Sequence, residues 1–313
     1  MKHTEVYDAY WRFAYNRQEV FFNRLYSKAP PWTDDEIIKK YKFTNAYRVT
    51  DRVSQYLVKN VIYSGELLSA EDIIFRILLF KFFNKIETWE EIEKKVGFIN
   101  YKDFNKESYS KVLDEMLKNK QKIYSAAYIM PSGVTAFGSH IKHRNNLELL
   151  DFIMKDKIGK KISQASSLRE LFELLLSYPT IGQFLAFQYA IDINYSELTD
   201  FSEMSFVVPG PGAKRGIEKC FGNLSHNYEY YINYVAEHQA SEFEKYNLDF
   251  KYLFGRQLQL IDCQNLFCET DKYSRVMFPN IDSKQKRKRI KQTFKPKNEP
   301  IQLFLPPKWG LKY

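Results

Sequence analysis

The stretch "LLLSYPTIGQFLAFQYAIDINY" (174–195) decides how this chain is read. Apolar residues recur at helical spacing on both sides of a Pro-Thr-Ile-Gly turn, so the segment is predicted to be a helix, a tight hairpin and a second helix. Such a hairpin is either a packing corner or a grip on a nucleic-acid backbone. The rest of the sequence has to decide between them.

Working outward, helical spacing dominates. "TEVYDAYWRFAYNRQEVFFNRLYSK" (4–28) carries aromatics at three- and four-residue intervals without a breaker. Thr33, after two prolines, is predicted to cap the next helix. "NAYRVTDRVSQYLVKNVI" (45–62) reads as one amphipathic helix with two arginines on its polar side. "SAEDIIFRILLFKFF" (69–83) opens with Ser69 and Asp72 in capping-box spacing and should be a central buried helix. Further helices are predicted at 106–120, 167–178, 226–246 and 254–276, with short strand candidates only near 123–130 and 204–208. There is no internal repeat. The fold class is all-α: a helical domain over residues 1–280, then a basic, proline-containing tail over 281–313.

Composition sets the outer limits. With 44% apolar and 17% aromatic residues, the 313-residue chain is too hydrophobic for disorder and long enough for a sizeable core. The longest apolar run, "IIFRILLFKFF" (73–83), is interrupted by Arg76 and Lys81 and is too short to span a bilayer. The start, "MKHTEVYDAYWRF", has acids and aromatics where a signal peptide needs a plain apolar stretch, so a soluble, cytoplasmic protein is expected. Cys220, Cys263 and Cys268 give no disulfide framework, and Cys263 and Cys268 match His140 and His143 only at loose metal-site spacing. No metal or cofactor is expected. The net charge of +9 is unevenly placed: ten Lys/Arg and one acid follow residue 283, leaving 37 of each sign before it. The run "KQKRKRIKQTFKPK" (284–297) is either a solvated linker or an arm lying on phosphates.

A helix-hairpin-helix element grips DNA through backbone amides that open its second helix and hold a phosphate without reading sequence. Its usual pattern is Gly, an apolar residue, Gly, and Ala four residues on. Here the positions are Thr180, Ile181, Gly182 and Ala186, so the first glycine has become threonine. Thr180, Gly182 and Gln183 are the expected phosphate contacts. In base-excision glycosylases built on this element a catalytic carboxylate follows downstream, where this chain offers Asp192, Asp200 and Glu203. Bifunctional members carry a nucleophilic lysine where Phe184 stands, so Schiff-base chemistry from that position is not expected.

"VVPGPGAKRG" (207–216) lacks the spacing and the hydroxyl of a Walker A loop. Gly210, Gly212, Lys214 and Arg215 still suit a phosphate nest at a helix start, or else a rigid turn with solvated charges. "LIDCQNLFCETDKY" (260–273) puts Asp262, Asn265 and Glu269 on one side of an otherwise apolar helix. Polar groups there are costly to bury unless paired or functional. Arg48, Arg52, Asp262, Gln264, Asn265 and Lys272 are candidates for a base pocket, and Glu269 for a general base; the same residues would also make a structural polar network.

Five blocks, in order, carry a family resemblance: "PPWTDDEIIKKYKFTNAYRVTDRVSQYL" (30–57), "FRILLFKFFNKIETWE" (75–90), "YPTIGQFLAFQYAIDINYS" (178–196), "VVPGPGAKRGIEKCF" (207–221) and "LQLIDCQNLFCETDKYSR" (258–275). They resemble the helical family known from the 5-hydroxymethyluracil DNA kinase helical domain and the α-glutamyl/putrescinyl thymine pyrophosphorylases. That family is regarded as related to helix-hairpin-helix DNA glycosylases and is linked to hypermodified pyrimidines in phage DNA. The resemblance implies DNA with modified pyrimidines as partner, a base flipped out of the stack, and no obligate protein partner. The leading expectation is a monofunctional DNA glycosylase that excises a hypermodified base, in defence against phages, through one carboxylate among Asp192, Asp200, Glu203 and Glu269. The alternative is a pyrophosphorylase-type transferase that installs an amine on an activated 5-hydroxymethylpyrimidine. A non-catalytic module binding modified DNA is the third. Some relatives carry a fused kinase, and this chain has no Walker A pattern.

Overall fold

The computed structural model describes residues 2–281, 289–296 and 299–313. Lys284, Lys286, Arg287, Lys288 and Lys297 of the basic run lie outside them. Among the described residues the regular structure is helical, with two isolated antiparallel bridges, Tyr41–Thr293 and Leu253–Arg256. In chain order the helices are α1 (Glu5–Leu25), α2 (Glu36–Lys40), α3 (Arg52–Tyr56), α4 (Ala70–Phe83), α5 (Ile86–Val96), α6 (Lys106–Lys118), α7 (Val134–Phe137), α8 (Lys142–Lys155), α9 (Ile158–Ile162), α10 (Leu168–Leu176), α11 (Gln183–Asn194), α12 (Pro211–Phe221), α13 (Tyr228–Glu237), α14 (Gln239–Lys245) and α15 (Leu260–Met277). No helix of the described residues is long and apolar enough to cross a membrane. The contacts divide the chain into two units. One comprises Met1–Asp51 and Phe206–Tyr313; the other is Arg52–Ser205.

In the first unit α12 lies along α15, with α1 packed on both. Thr4 caps α1 by accepting the Val6 N–H at 3.2 Å. Tyr7, Tyr10, Trp11 and Phe13 of α1 are fully buried with Phe221 and Phe267, an aromatic core whose rings meet mostly edge-on or tilted. The close approach of α12 to α15 depends on two glycines. A Cβ on Gly216 would sit 2.0 Å from the Phe267 carbonyl oxygen, and one on Gly212 2.2 Å from Cys268 Sγ. One buried carboxylate fastens the same contact: Asp271 of α15 meets Arg215 at 3.1 Å, Lys219 at 2.9 Å and Arg275 at 2.5 Å. Burial alone would raise the Asp271 carboxyl, but the hydrogen bond and charge of Lys219, with Arg275, hold it below the ordinary value.

In the second unit α4 is the central element, buried from Ile74 to Phe83. Its start is the capping box read from the sequence, Ser69 with Asp72. Arg76 is tolerated in this core because its guanidinium donates to the carbonyls of Val61 (2.8 Å), Ile99 (2.6 Å) and Asn60 (2.9 Å). Two of those carbonyls belong to Leu57–Ile62, a π-helical stretch. α10 and α11 form the hairpin predicted at 174–195.

Five expected elements differ. Asp35, not Thr33, caps α2, accepting the N–H groups of Ile37 and Ile38 at 2.9 Å, while Thr33 accepts the Asp35 N–H. The single helix expected at 45–62 is broken into a 3-10 turn (Arg48–Thr50), an extended Asp51 and α3. The helix expected at 226–246 divides at His238 into α13 and α14. Both strand candidates, near 123–130 and 204–208, are irregular loops.

Candidate active site

The hairpin in the second unit is anchored by Ile181, 4% exposed, and by Tyr178, whose hydroxyl donates to Asp156 at 2.9 Å. Thr180, standing where the first glycine of the DNA-gripping pattern is expected, has φ +67°. This left-handed conformation suits glycine and strains a β-branched residue. The backbone thus keeps the glycine geometry without the glycine. Gly182 follows as the N-cap of α11, exposed and with no side-chain cap, and a Cβ there would meet nothing within 4 Å. α11 begins at exposed Gln183, and its first amides have no carbonyl partner within the helix and no side-chain cap. Thr180→Gly is expected to stabilise the fold by about 1 kcal/mol, because relief of left-handed strain exceeds the added backbone entropy. Urea unfolding checks it: an unchanged or lower midpoint would mean the turn is not strained.

Downstream of the hairpin the three carboxylates have different surroundings. Asp192 is 0% exposed and lies 3.2 Å from Lys81 Nζ of α4, itself 3% exposed. Lys81 also donates to Asn84 at 2.8 Å and sits 4.4 Å from the Tyr128 ring centre. Asp192 is therefore one half of a buried ion pair. Glu203 is buried and Asp200 exposed, on a loop shaped by Asn194. The Asn194 Oδ1 accepts from the Thr199 hydroxyl and the Phe201 N–H, and its Nδ2 donates to the Phe201 carbonyl, each at 2.9 Å. Arg52 is exposed in this unit, 4.0 Å from Glu87.

The first unit holds the remaining candidates. Gly210 caps α12, and its N–H donates to Gln264 Oε1 at 3.4 Å. Gly212 and Arg215, expected in a phosphate nest, are engaged with Cys268 and Asp271. Lys214 is exposed, its ammonium 5.3 Å from the Tyr228 ring centre. Gln264 also donates to Asn265 at 2.7 Å.

Along α15 two carboxylates bind the backbone of the loop 43–51. Asp262 accepts the Arg48 N–H at 2.8 Å and the Gln259 N–H at 3.0 Å; burial nonetheless pushes its carboxyl up to about 6. Glu269 accepts the Thr44 N–H at 3.0 Å and Lys272 at 2.6 Å. From the other side Arg17 of α1 donates through Nε to the Thr44 carbonyl (2.9 Å) and through Nη2 to Asn45 Oδ1 (2.8 Å). Within this bracket sits Asp51, which accepts the Asn45 N–H at 2.8 Å. Burial, reinforced by the charge of Glu269, raises its carboxyl to about 7 against the opposing pull of the Asn45 N–H, Arg17 and Arg48. A carboxyl that titrates near neutrality, half-buried beside a second carboxylate, can accept a proton at working pH.

Asp51, Arg17, Asn45 and Asn194 escaped the sequence reading. Asp51 lies between the two arginines singled out in "YRVTDR", and its acid among bases was the available signal. The structure brings Glu269, Asp262, Lys272 and the Arg48 backbone around one loop; Arg52, the residue after Asp51, is exposed and has Glu87 at 4.0 Å.

A family model described as "5-hmdU DNA kinase, helical domain" matches residues 4–283. The chain is 27% identical to the 5-hmdU DNA kinase of Bacillus phage SP10 over 291 residues, which cover 86% of this chain and 45% of that protein. It therefore spans about half the length of that relative. No solved structure matches.

Proposed function

The chain belongs to the family of 5-hmdU DNA kinase helical domains, and from that premise we propose that it acts on DNA carrying 5-hydroxymethylpyrimidines, by group transfer at the 5-methylene rather than by excision of the base. An amine attacks the activated methylene carbon as the C–N bond forms. The C–O bond breaks, phosphate or pyrophosphate leaves with its electron pair, and the proton lost by the amine passes to Asp51. The observation that carries this role is the place of Asp51, half-buried in a loop held by Glu269 through Thr44 and by Arg17 through Thr44 and Asn45, where burial pushes its carboxyl up to about 7. Glu269 and Asp262 hold the loop that presents it, through Thr44 and Arg48. The open amides of Gly182 and Gln183, with Thr180 shaping the turn, take a backbone phosphate.

Excision asks for an ionised carboxylate beside the developing sugar cation. Asp192, on the helix that follows the hairpin, is instead closed into its pair with Lys81. A relative that is a DNA kinase also supports chemistry that leaves the base in place. These 313 residues carry no Walker A pattern, so on this reading the hydroxymethyl group reaches the chain already activated rather than being phosphorylated by a P-loop within it.

The test is phosphate or pyrophosphate release from DNA whose 5-hydroxymethyluracil has been phosphorylated or pyrophosphorylated beforehand. Release that requires an added amine supports transfer. Release of a free base instead would overturn it.

A further inference from the structure

Residues 40–42 run antiparallel to residues 292–294. The Lys42 N–H donates to the Gln292 carbonyl at 3.0 Å and the Phe294 N–H to the Lys40 carbonyl at 2.9 Å, around the Tyr41–Thr293 bridge. This ribbon and the residues leading into it present five exposed cations: Lys40, Lys42, Arg289, Lys291 and Lys295. The acids of α2 do little to offset them. Asp35 caps the helix and accepts the Tyr273 hydroxyl at 2.7 Å, and Glu36 pairs with Lys39 at 2.8 Å, leaving exposed Asp34.

Phe294 of the ribbon also walls a cleft of about 300 Å³, together with Trp32, Pro30, Pro31 and Pro296. That volume is at the low end for ligand sites and fits one flat ring rather than a whole nucleotide. Trp32 meets Phe294 nearly edge-on, with ring centres 6.3 Å apart, and the Trp32 indole N–H already donates to the Lys28 carbonyl at 2.7 Å. The walls thus offer ring faces and apolar carbon. Arg17, only 8% exposed, lines the same cleft. Its Nε and Nη2 are held by Thr44 and Asn45, while Nη1 has no acceptor among the described residues.

Antiparallel pairing about Tyr41 and Thr293 sets Lys40 and Lys42 on the face of Phe294 and Lys291 and Lys295, by strand alternation, on the other, so exposed cations border the aromatic slot on both faces of the ribbon. A single nucleic-acid strand crossing the ribbon has its phosphates neutralised there while a base lies against the rings. A small anion has no use for so many cations beside an aromatic slot, and an apolar peptide has none for the charges. We infer that the ribbon and its cleft form a single-stranded DNA tract, with phosphates on Lys40, Lys42, Lys291 and Lys295 and one base received between Phe294 and the Trp32–proline wall, with Arg17 facing it. The inference rests on the reading that the chain works on DNA, though not on which reaction it performs.

The test uses the full chain and a labelled, unmodified single-stranded 12-mer, with anisotropy read across a salt series. The variant K40Q/K42Q/K291Q/K295Q changes only exposed positions. It should bind at least tenfold more weakly at low salt and lower the log–log salt slope by about 3, since each strand phosphate contact contributes about 0.7. Phe294→Ala should weaken binding about tenfold with the slope unchanged, the mark of a lost stacking contact. An unaltered slope in the first variant overturns the phosphate contacts, and unaltered affinity in the second overturns the base slot. Tighter binding of a duplex of the same sequence overturns the single-strand assignment. If the strand binds as described but no group transfer occurs, the tract stands and the proposed reaction falls. Transfer accompanied by wild-type binding of the first variant means the reverse.

Discussion

Asp51→Asn is expected to lower amine transfer by roughly 10²- to 10⁴-fold, the usual contribution of a positioned general base. The loss should appear in kcat, with the circular dichroism spectrum unchanged. The pH dependence adds a check that a purely structural role would not produce. In the parent protein the rate should rise with pH around a midpoint near 7 as the Asp51 carboxyl loses its proton. Stability runs the other way. Because burial raises this carboxyl above its ordinary value, its contribution to folding is complete below about 4 and is lost as pH climbs through about 7. Asp262, raised to about 6, adds to the same trend, so Asp51→Asn should remove part of the stability slope and the component of the rate slope with its midpoint near 7, leaving the rise due to deprotonation of the amine itself. Glu269→Gln should move the rate midpoint to lower pH, since a neighbouring negative charge no longer opposes ionisation of Asp51. A rate midpoint that stays put in that variant would detach Glu269 from the site.

Gly216→Ala should cost about 3 kcal/mol or more, at the severe end for added core volume. The added methyl would meet the Phe267 carbonyl oxygen at 2.0 Å and the carbonyl carbon at 2.7 Å. Both are backbone atoms in the middle of α15 and cannot swing aside as a side chain can. Gly212→Ala should cost less, because its nearest obstacle is the Cys268 sulfur, which can rotate, with Cys268 Cβ at 3.2 Å behind it. Gly182→Ala supplies the control, with open space around the new Cβ and little change in unfolding midpoint expected. Urea unfolding of the three variants ranks them, and an undisturbed Gly216→Ala protein would refute the close α12–α15 packing.

Legibility in the sequence follows how local the cause is. α1, the Ser69–Asp72 start of α4 and the α10–α11 hairpin were readable because spacing and caps lie within each segment. The break of 45–62 was not. The Arg48 N–H is taken by Asp262 and the Thr44 N–H by Glu269, partners more than 200 residues away. The same distance hid Asp51, whose carboxyl is raised by burial and by the charge of Glu269. "GPGAKRG" left two readings open for a related reason. Glycine is required wherever backbone comes close, and the sequence alone does not say whether a phosphate or a helix is the neighbour; here Gly212 and Gly216 face Cys268 and Phe267. The polar residues of 260–273 stand out in the sequence as a set, but their division among loop anchoring, helix capping and ion pairing appears only when residues 43–51 are brought beside them.

The central claim is transfer to the 5-methylene with the glycosidic bond intact. Its most direct measurement is mass spectrometry of nucleosides digested from DNA that carries pyrophosphorylated 5-hydroxymethyluracil, after incubation with the protein and an amine. The account predicts a deoxynucleoside heavier than 5-methyldeoxyuridine by the amine minus two hydrogens, with no free base and no abasic site. A free base with an abasic site, or unchanged activated nucleoside beside a protein that binds the DNA, would contradict it.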